Sequence, residues 1–320
     1  MRAVTDPVCA SAAVGATATP YPSVSVVIAT RDRPGLLERA VRQILSQDYP
    51  GHIECLVVFD HVPVRPLDLP EQPGRPVVLA NTRRPGLPGG RNSGCAAATG
   101  DLLAFCDDDD AWHADKLRRQ VDVLLADPQY GAVACGIRLQ GPGITRNRPG
   151  RSTPVQLDDL LADRIMEVHP STILVRRATW LAAGPVDEDI PGGYAEDYEW
   201  LLRVAALGPI AVVAQALVTV EWHGDSFFFG RWPMIVDALR YLLVKHPEFE
   251  RSPRGRARIQ AQIAFALAAA GRRRESLAEV WRVMRLNPRE KRLFVTVPVL
   301  LGIVSGGRVL RMAQRRGRGV

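Results

Sequence analysis

Residues 101–112 read DLLAFCDDDDAW: the apolar run Leu102, Leu103, Ala104, Phe105 and Cys106 leads straight into four consecutive aspartates, Asp107 to Asp110. A short continuous apolar run bounded by polar residues fits a strand buried on both faces. Four like charges at its end repel one another, and that costs free energy unless a cation or solvent offsets it. One reading is a solvated acidic turn that caps the next helix, because Asp suits an N-cap and acids suit a helix N-terminus. The other is a hard divalent cation held through carboxylate oxygens, with positions left open for a diphosphate. A cap needs one aspartate, and the other three weigh toward the cation.

Outward from this stretch the same alternation repeats. SVSVVIAT (23–30) is a second β-branched apolar run, and RPGLLERAVRQILSQ (33–47) follows with Leu36, Leu37, Ala40, Val41, Ile44 and Leu45 at helical spacing. HIECLVVFD (52–60) and RPVVLAN (75–81) read as strands, GGRNSGCAAAT (89–99) as a helix, and AWHADKLRRQVDVLLAD (111–127) as another. Strands alternating with helices imply an α/β protein with an open, mainly parallel sheet covered on both faces, whose ligands bind at the carboxyl ends of the strands. Further on, YGAVACGIRL (130–139), TILVR (172–176) and IAVVAQALVTV (210–220) read as strands and 196–207 as a helix, with 141–154 as a surface loop. Past Pro233 the pattern is helical, including a hairpin of two helices around GRRR. The expected division is a flexible segment 1–22, an α/β domain 23–230 and a basic helical region 231–320.

Composition supports a globular chain with a sizeable core: 320 residues, 47% hydrophobic. The net charge of +7 is unevenly spread, with 18 Lys or Arg against 5 Glu from residue 245 onward, so that the preceding part is acidic. Five scattered cysteines without a CxxC pair point to a reducing compartment and away from structural zinc. The N-terminal stretch lacks the apolar core of a signal peptide, and the longest apolar run near the other end, LFVTVPVLLGIV (293–304), is twelve residues with Pro298 inside. These features predict a cytoplasmic protein, either free or peripheral on the inner face of the plasma membrane.

Several residues qualify for chemistry. Asp60 closes a strand of the same sheet and so shares an edge with Asp107 to Asp110; it can accept from a ribose or a base, or serve as a turn residue. PGLPGGRNSG (85–94) lacks both GxGxxG and a Walker lysine, which excludes a dinucleotide or P-loop reading. It leaves Arg91 near a helix start, either toward a phosphate or on a solvated face. Glu196 and Asp197 follow two glycines at a helix N-terminus, where a carboxylate can act as a general base on a hydroxyl, or simply cap the helix. His223 lies among aromatics in VEWHGDSFFFGRW, and His169 opens HPST, whose polar groups can face an acceptor.

The order of these motifs resembles the GT-A fold inverting glycosyltransferases of family 2. The resemblance is carried by SVVIATRDRP, LVVFD, the GLPGGRNSG to ATGDLLAFCDDDDAW block, GPVDE followed by AEDYEWLLR, and WHGDS, across residues 23 to about 226. It implies transfer of a sugar from a UDP-, dTDP- or GDP-linked donor to an acceptor hydroxyl with inversion. By the same resemblance Ala29, Arg31, Asp60, Arg91, Asp107 and Asp108 line the nucleotide-sugar site. Asp109 and His223 hold Mn2+ or Mg2+, Asp197 is the catalytic base, and Glu196 and His169 support the acceptor side. The chain differs from the usual pattern at Arg31, where an aromatic residue is common, and at FDHVPV, where Asp60 stands alone. QxxRW is missing after 196–207, which disfavours a processive polymer synthase.

The basic helical tail lies outside the resemblance and reads either as a solvated subdomain or as a contact for an anionic membrane carrying a lipid-linked acceptor. Two other readings of the whole chain are a nucleic-acid-binding protein that uses this tail, and a nucleotide-sugar-binding homologue without turnover.

Overall fold

The computed structural model describes residues 21–67, 69, 74–221, 228 and 230–314. The chain opens with β1 (Val24–Thr30), α1 (Pro34–Leu45), β2 (Ile53–Phe59), β3 (Val77–Ala80), α2 (Leu87–Ala97) and β4 (Leu102–Phe105). It continues through β5 (Ala111–Trp112), α3 (Lys116–Ala126), β6 (Ala132–Gly141), β7 (Ile144–Arg148), α4 (Leu157–Ala162), β8 (Leu174–Arg176) and α5 (Arg177–Ala183). Then come α6 (Glu196–Leu207), β9 (Ile210–Glu221), α7 (Trp232–Lys245), α8 (Pro253–Ala269), α9 (Arg273–Leu286), α10 (Leu293–Leu300) and α11 (Gly306–Gln314).

The strands form one sheet in the order β3-β2-β1-β4-β8-β6-β9-β5, with β7 attached to β6. The first four run parallel, with Val24 opposite both Ile53 and Leu102, so β1, β2 and β4 all end at one edge. Every residue of β1 is buried. Alternation sends Val27 to one core layer and Val24, Val26 and Ile28 to the other. The first layer is closed by α2, α6 and α8, the second by α1 and α3. The close seat of α2 depends on glycine: a Cβ at Gly90 would lie 2.9 Å from Ala29 Cβ, and one at Gly94 would lie 2.3 Å from Val27 Cγ1.

Two local expectations are corrected. Ala111 and Trp112, read as the start of a helix, form β5 instead, antiparallel to β9, and the helix begins at Lys116. The open edge of β9 supplies backbone partners there that a first helical turn would lack. Within the expected surface loop 141–154, Ile144–Arg148 pairs with β6 as a hairpin around Gly143, whose φ is +75°. Its mostly polar side chains carry no apolar alternation, so the strand had no hydrophobic signal.

In the second half α8 is the hub. It is buried along most of its length, touches α4, and is flanked by α7, α9 and α10; Ser276 of α9 donates its hydroxyl to Ala264 O at 2.8 Å. No helix of the described residues is long and apolar enough to cross a membrane.

Candidate active site

The shared edge of β1, β2 and β4 gathers the acidic residues, because parallel strands in register bring their ends together. Thr30, the last residue of β1, donates its hydroxyl to Asp108 Oδ2 at 2.7 Å. Arg33, the residue directly before α1, lies 3.3 Å from Asp108 Oδ1 and pairs with Asp109. Arg39 donates to the backbone carbonyl of Asp109 at 2.7 Å. Burial, chiefly, pushes the Asp108 carboxyl up, with Thr30 and Arg33 pulling the other way.

Asp107 and Asp110 turn to the other side of the strand end, toward the short turn Pro170–Thr172. Asp107 N donates to Ser171 Oγ at 3.0 Å, and His169 Nε2 lies 3.9 Å from Asp107 Oδ2. His169 caps this turn, with Nδ1 accepting from Ser171 N at 3.3 Å and standing 3.7 Å from Asp110 Oδ2. That Asp110 oxygen is buried without a hydrogen bond. Burial, and next the charge of Asp107, raise the Asp110 carboxyl well above its usual range. Burial lowers the His169 imidazole, which favours the neutral, ligand-competent form. Asp107, Asp110 and His169 present ligand atoms that all lie within 4.8 Å of one another. Two carboxylate oxygens and a neutral imidazole suit Mn2+, and a cation would satisfy the orphaned Asp110 oxygen, so the donor set fits a divalent metal.

Arg91 links this cluster to α6. Its Nη2 is 2.8 Å from Asp107 Oδ1 and its Nη1 is 2.6 Å from Glu196 Oε1, with both partners engaged inside the protein. Of the two placements open to Arg91, the solvated face is excluded, since the residue is only 4% exposed. Burial opposes its charge, but Asp107 and Glu196 outweigh that and keep it protonated. Glu196 is pushed up to about 7, first by burial and then by its neighbour Asp197. Asp197 goes the other way: burial is outweighed by Arg164 and Arg91, which hold it below the usual carboxylate range. Arg164 Nη2 is 2.6 Å from Asp197 Oδ2. Ala195, just before this pair, has a left-handed backbone at φ 64°, unusual for a residue with a side chain and a form of strain found at functional sites.

Asp60 follows β2 and is buried. It accepts from Asn81 Nδ2 at 2.8 Å and from Gly86 N at 3.0 Å, so it anchors the loop that leads into α2. Ala29 is buried in β1 against Gly90, and Arg31 is exposed in the loop after β1. His223 lies outside the described residues. The structure thus brings together Asp107, Asp108, Asp109, Arg91, Glu196, Asp197 and His169, with Asp60 at the next strand end. Sequence reasoning gave no individual role to Asp110, Thr30, Arg33, Arg164 or Ser171. Asp110 and Arg33 had a findable signal, since both sit within a few residues of a strand end; Arg164 had none, because it meets Asp197 only through tertiary folding.

The model of the family described as Glycosyl transferase family 2 matches residues 25–179. An uncharacterized glycosyltransferase of Nostoc sp. is 34% identical over 117 residues, which is 34% of this chain and 35% of that one. A β-monoglucosyldiacylglycerol synthase of Synechocystis sp. is 27% identical over 150 residues, 45% of this chain and 31% of that one. The matched part thus spans about a third of these relatives' length. Among solved structures, a mannosyltransferase from Pyrobaculum calidifontis in complex with GDP-Man and Mn2+ superposes with a TM-score of 0.55 at 18% identity, covering 92% of this chain and 84% of that one. Residues 25–179, just under half of the chain, thus match glycosyl transferase family 2, and the fold is GT-A.

Proposed function

We propose that this family 2 glycosyltransferase is metal-dependent and inverting, and that it moves a sugar from a UDP-, dTDP- or GDP-linked donor to an acceptor hydroxyl in cell-surface polysaccharide or glycolipid assembly. The observation that carries this reading is the Arg91 bridge, which joins the acidic strand end to the Glu196–Asp197 pair within one site. In the proposed division of labour the strand end takes the diphosphate side and α6 takes the acceptor side. The nucleotide-sugar site belongs to residues 23–230, with 231–320 as a helical region and 1–22 as a lead-in.

Asp107, Asp110 and His169 would hold the cation; when bound, it supplies positive charge against the diphosphate that departs. The resemblance assigns this role to Asp109, which here faces Arg33, so Asp109 is the second candidate ligand. Comparing Mn2+ affinity of Asp109→Asn and Asp110→Asn separates the two. A neighbour of this fold in complex with GDP-Man and Mn2+ supports both the cation and a nucleotide-sugar donor.

Asp197 is kept ionised by Arg164 and so can take the proton of an acceptor hydroxyl. Glu196 is committed to Arg91 and orients the helix start instead. One base and one displacement invert the anomeric carbon, and no second carboxylate is required to form a covalent intermediate. The relative named for a glucosyldiacylglycerol product supports a lipid-linked acceptor. The nucleic-acid-binding and inactive readings are not favoured by the family match or by the assembled site.

Replacing Asp197 by Asn tests the mechanism. Donor affinity should stay within about threefold while transfer falls on the order of a thousandfold, and NMR of the wild-type product should show the anomeric configuration opposite to that of the donor. Normal transfer by this variant, or a product of retained configuration, would remove the proposed base.

A further inference from the structure

The α9–α10 pair presents rows of large apolar side chains to solvent. On α9, Leu277, Trp281 and Met284 recur at helical spacing and are all exposed, Trp281 by 58%. On α10, Phe294 and Val297 repeat the spacing and Leu301 continues it just past the helix end, with Phe294 79% and Leu301 65% exposed, and Ile303 follows at 72%. The two helices run back along one another: six residues, 287–292, join them, and past the end of α10 a Cβ at Gly302 would lie 3.0 Å from Arg273 Nη2 at the start of α9. Their opposite faces are already used. Val299 packs with Phe265 and Ala268 of α8, and Val283 with Ala257 and Ala261. The exposed row is therefore a second face, left over after the core is complete. Single exposed apolar residues are ordinary on a protein surface, but rows of this length are a mark of an interaction face.

The surroundings of the row are cationic. Residues 273–314 contain nine Lys or Arg against three Glu. Each of the three is engaged: Glu279 with Arg282, Glu290 with Arg292, and Glu275 with Arg272. Arg273, Arg274, Arg285, Arg289 and Lys291 are exposed on α9 and the link to α10, and Arg308 is exposed on α11.

We propose that this face, Trp281 and Met284 of α9 with Phe294 of α10 and Leu301 at its end, docks the enzyme on an anionic lipid bilayer. Large aromatic and aliphatic side chains enter the boundary of the acyl region while the surrounding guanidinium groups meet the headgroup phosphates. Two alternatives fit the same surface less well. A second copy of the chain would bring like charge against like charge. A nucleic acid would use the arginines and leave the aliphatic row against water. Docking requires neither donor nor cation, so its failure and a failure of the proposed reaction are separate results. With a lipid-linked acceptor, docking would hold the enzyme at its substrate: α8 carries this pair on one side, and on the other Arg258 reaches Tyr198 of the Asp197 helix at 2.7 Å.

The test uses the full chain and its Phe294→Ser/Leu301→Ser variant, with vesicles of phosphatidylcholine plus phosphatidylglycerol and vesicles of phosphatidylcholine alone. The native chain should sediment with the first and not the second, and high salt should release it. The variant should keep the native circular dichroism spectrum and lose binding by at least about tenfold, as expected for two large apolar side chains withdrawn from the lipid. Residues 315–320 are present in both proteins, so the difference belongs to α10 and the residue that follows it. Equal sedimentation of the two proteins, or native binding that ignores phosphatidylglycerol, would overturn the proposal. So would a native dimer in sedimentation equilibrium that the variant dissolves, which would assign the face to a second copy. A variant that loses native structure is replaced by Arg285→Glu/Lys291→Glu, which changes only exposed charge and must abolish binding to the anionic vesicles if the proposal holds.

Discussion

Arg91 and Glu196 meet inside the protein at 2.6 Å, although 105 residues separate them. The guanidinium uses its other nitrogen for Asp107, so a single side chain from α2 ties the strand-end acids to the start of α6. Removing one partner of a buried ion pair leaves the other charge unpaired, which costs about 3–5 kcal/mol. Arg91→Met should therefore lower stability by about that amount in urea titration. Arg91→Lys should fold better but lose activity, because an ammonium cannot present two parallel donors to two separated carboxylates. Full activity in Arg91→Lys would show that the bridge has no positioning role.

Arg164 acts on Asp197 from outside. It lowers the carboxyl, and a base must be ionised to accept a proton, so if Asp197 is the base as proposed the acid limb of the rate profile reflects this pair. Arg164→Ala removes the opposing charge, the folded-state pKa of Asp197 rises, and the acid limb should move to higher pH, with donor affinity little changed. An unmoved acid limb would mean that Asp197 is not the titrating base.

Glu199 makes a pH-dependent contribution to stability. It is buried on α6, accepts from Arg203 Nη2 at 2.8 Å, and lies 3.0 Å from both His246 Nε2 and Lys245 Nζ. Burial alone would raise its carboxyl; His246, Arg203 and Lys245 overcome that and bring it down to about 2. The folded-state pKa thus lies below the unfolded value of about 4.3, so the stabilisation is fully present above that unfolded value and fades as pH falls toward 2. Glu199→Gln should destabilise the protein at neutral pH and flatten the decline of Tm between pH 4.5 and 2, roughly. A parallel decline in both proteins would contradict the assignment.

The parts of the fold visible in the sequence are those with a strong period. β1 and β4 announce themselves as unbroken apolar runs, and α8 and α9 as a helical hairpin, because burial on a defined face leaves its spacing in the residues themselves. β7 and β5 do not, since their pairing comes from neighbouring edges. The site divides in the same way. Asp107 to Asp110 and the Glu196–Asp197 pair were legible from their places at a strand end and a helix start. The burial of Arg91 was not, because a lone arginine on a helix shows neither its partners nor its depth. Nor was the split within the four aspartates, whose middle pair, Asp108 and Asp109, faces Arg33 while the outer pair, Asp107 and Asp110, faces His169.

The most direct test of the account is calorimetric titration of the protein with UDP, dTDP and GDP, each with Mn2+ and each with EDTA, alongside Asp110→Asn. One nucleotide should bind in Mn2+ and weaken at least about tenfold both in EDTA and in the variant, as expected if the cation bridges the carboxylates and the diphosphate. Nucleotide binding equally strong in EDTA, or no binding of any of the three, would contradict a metal-dependent donor site at the end of β4.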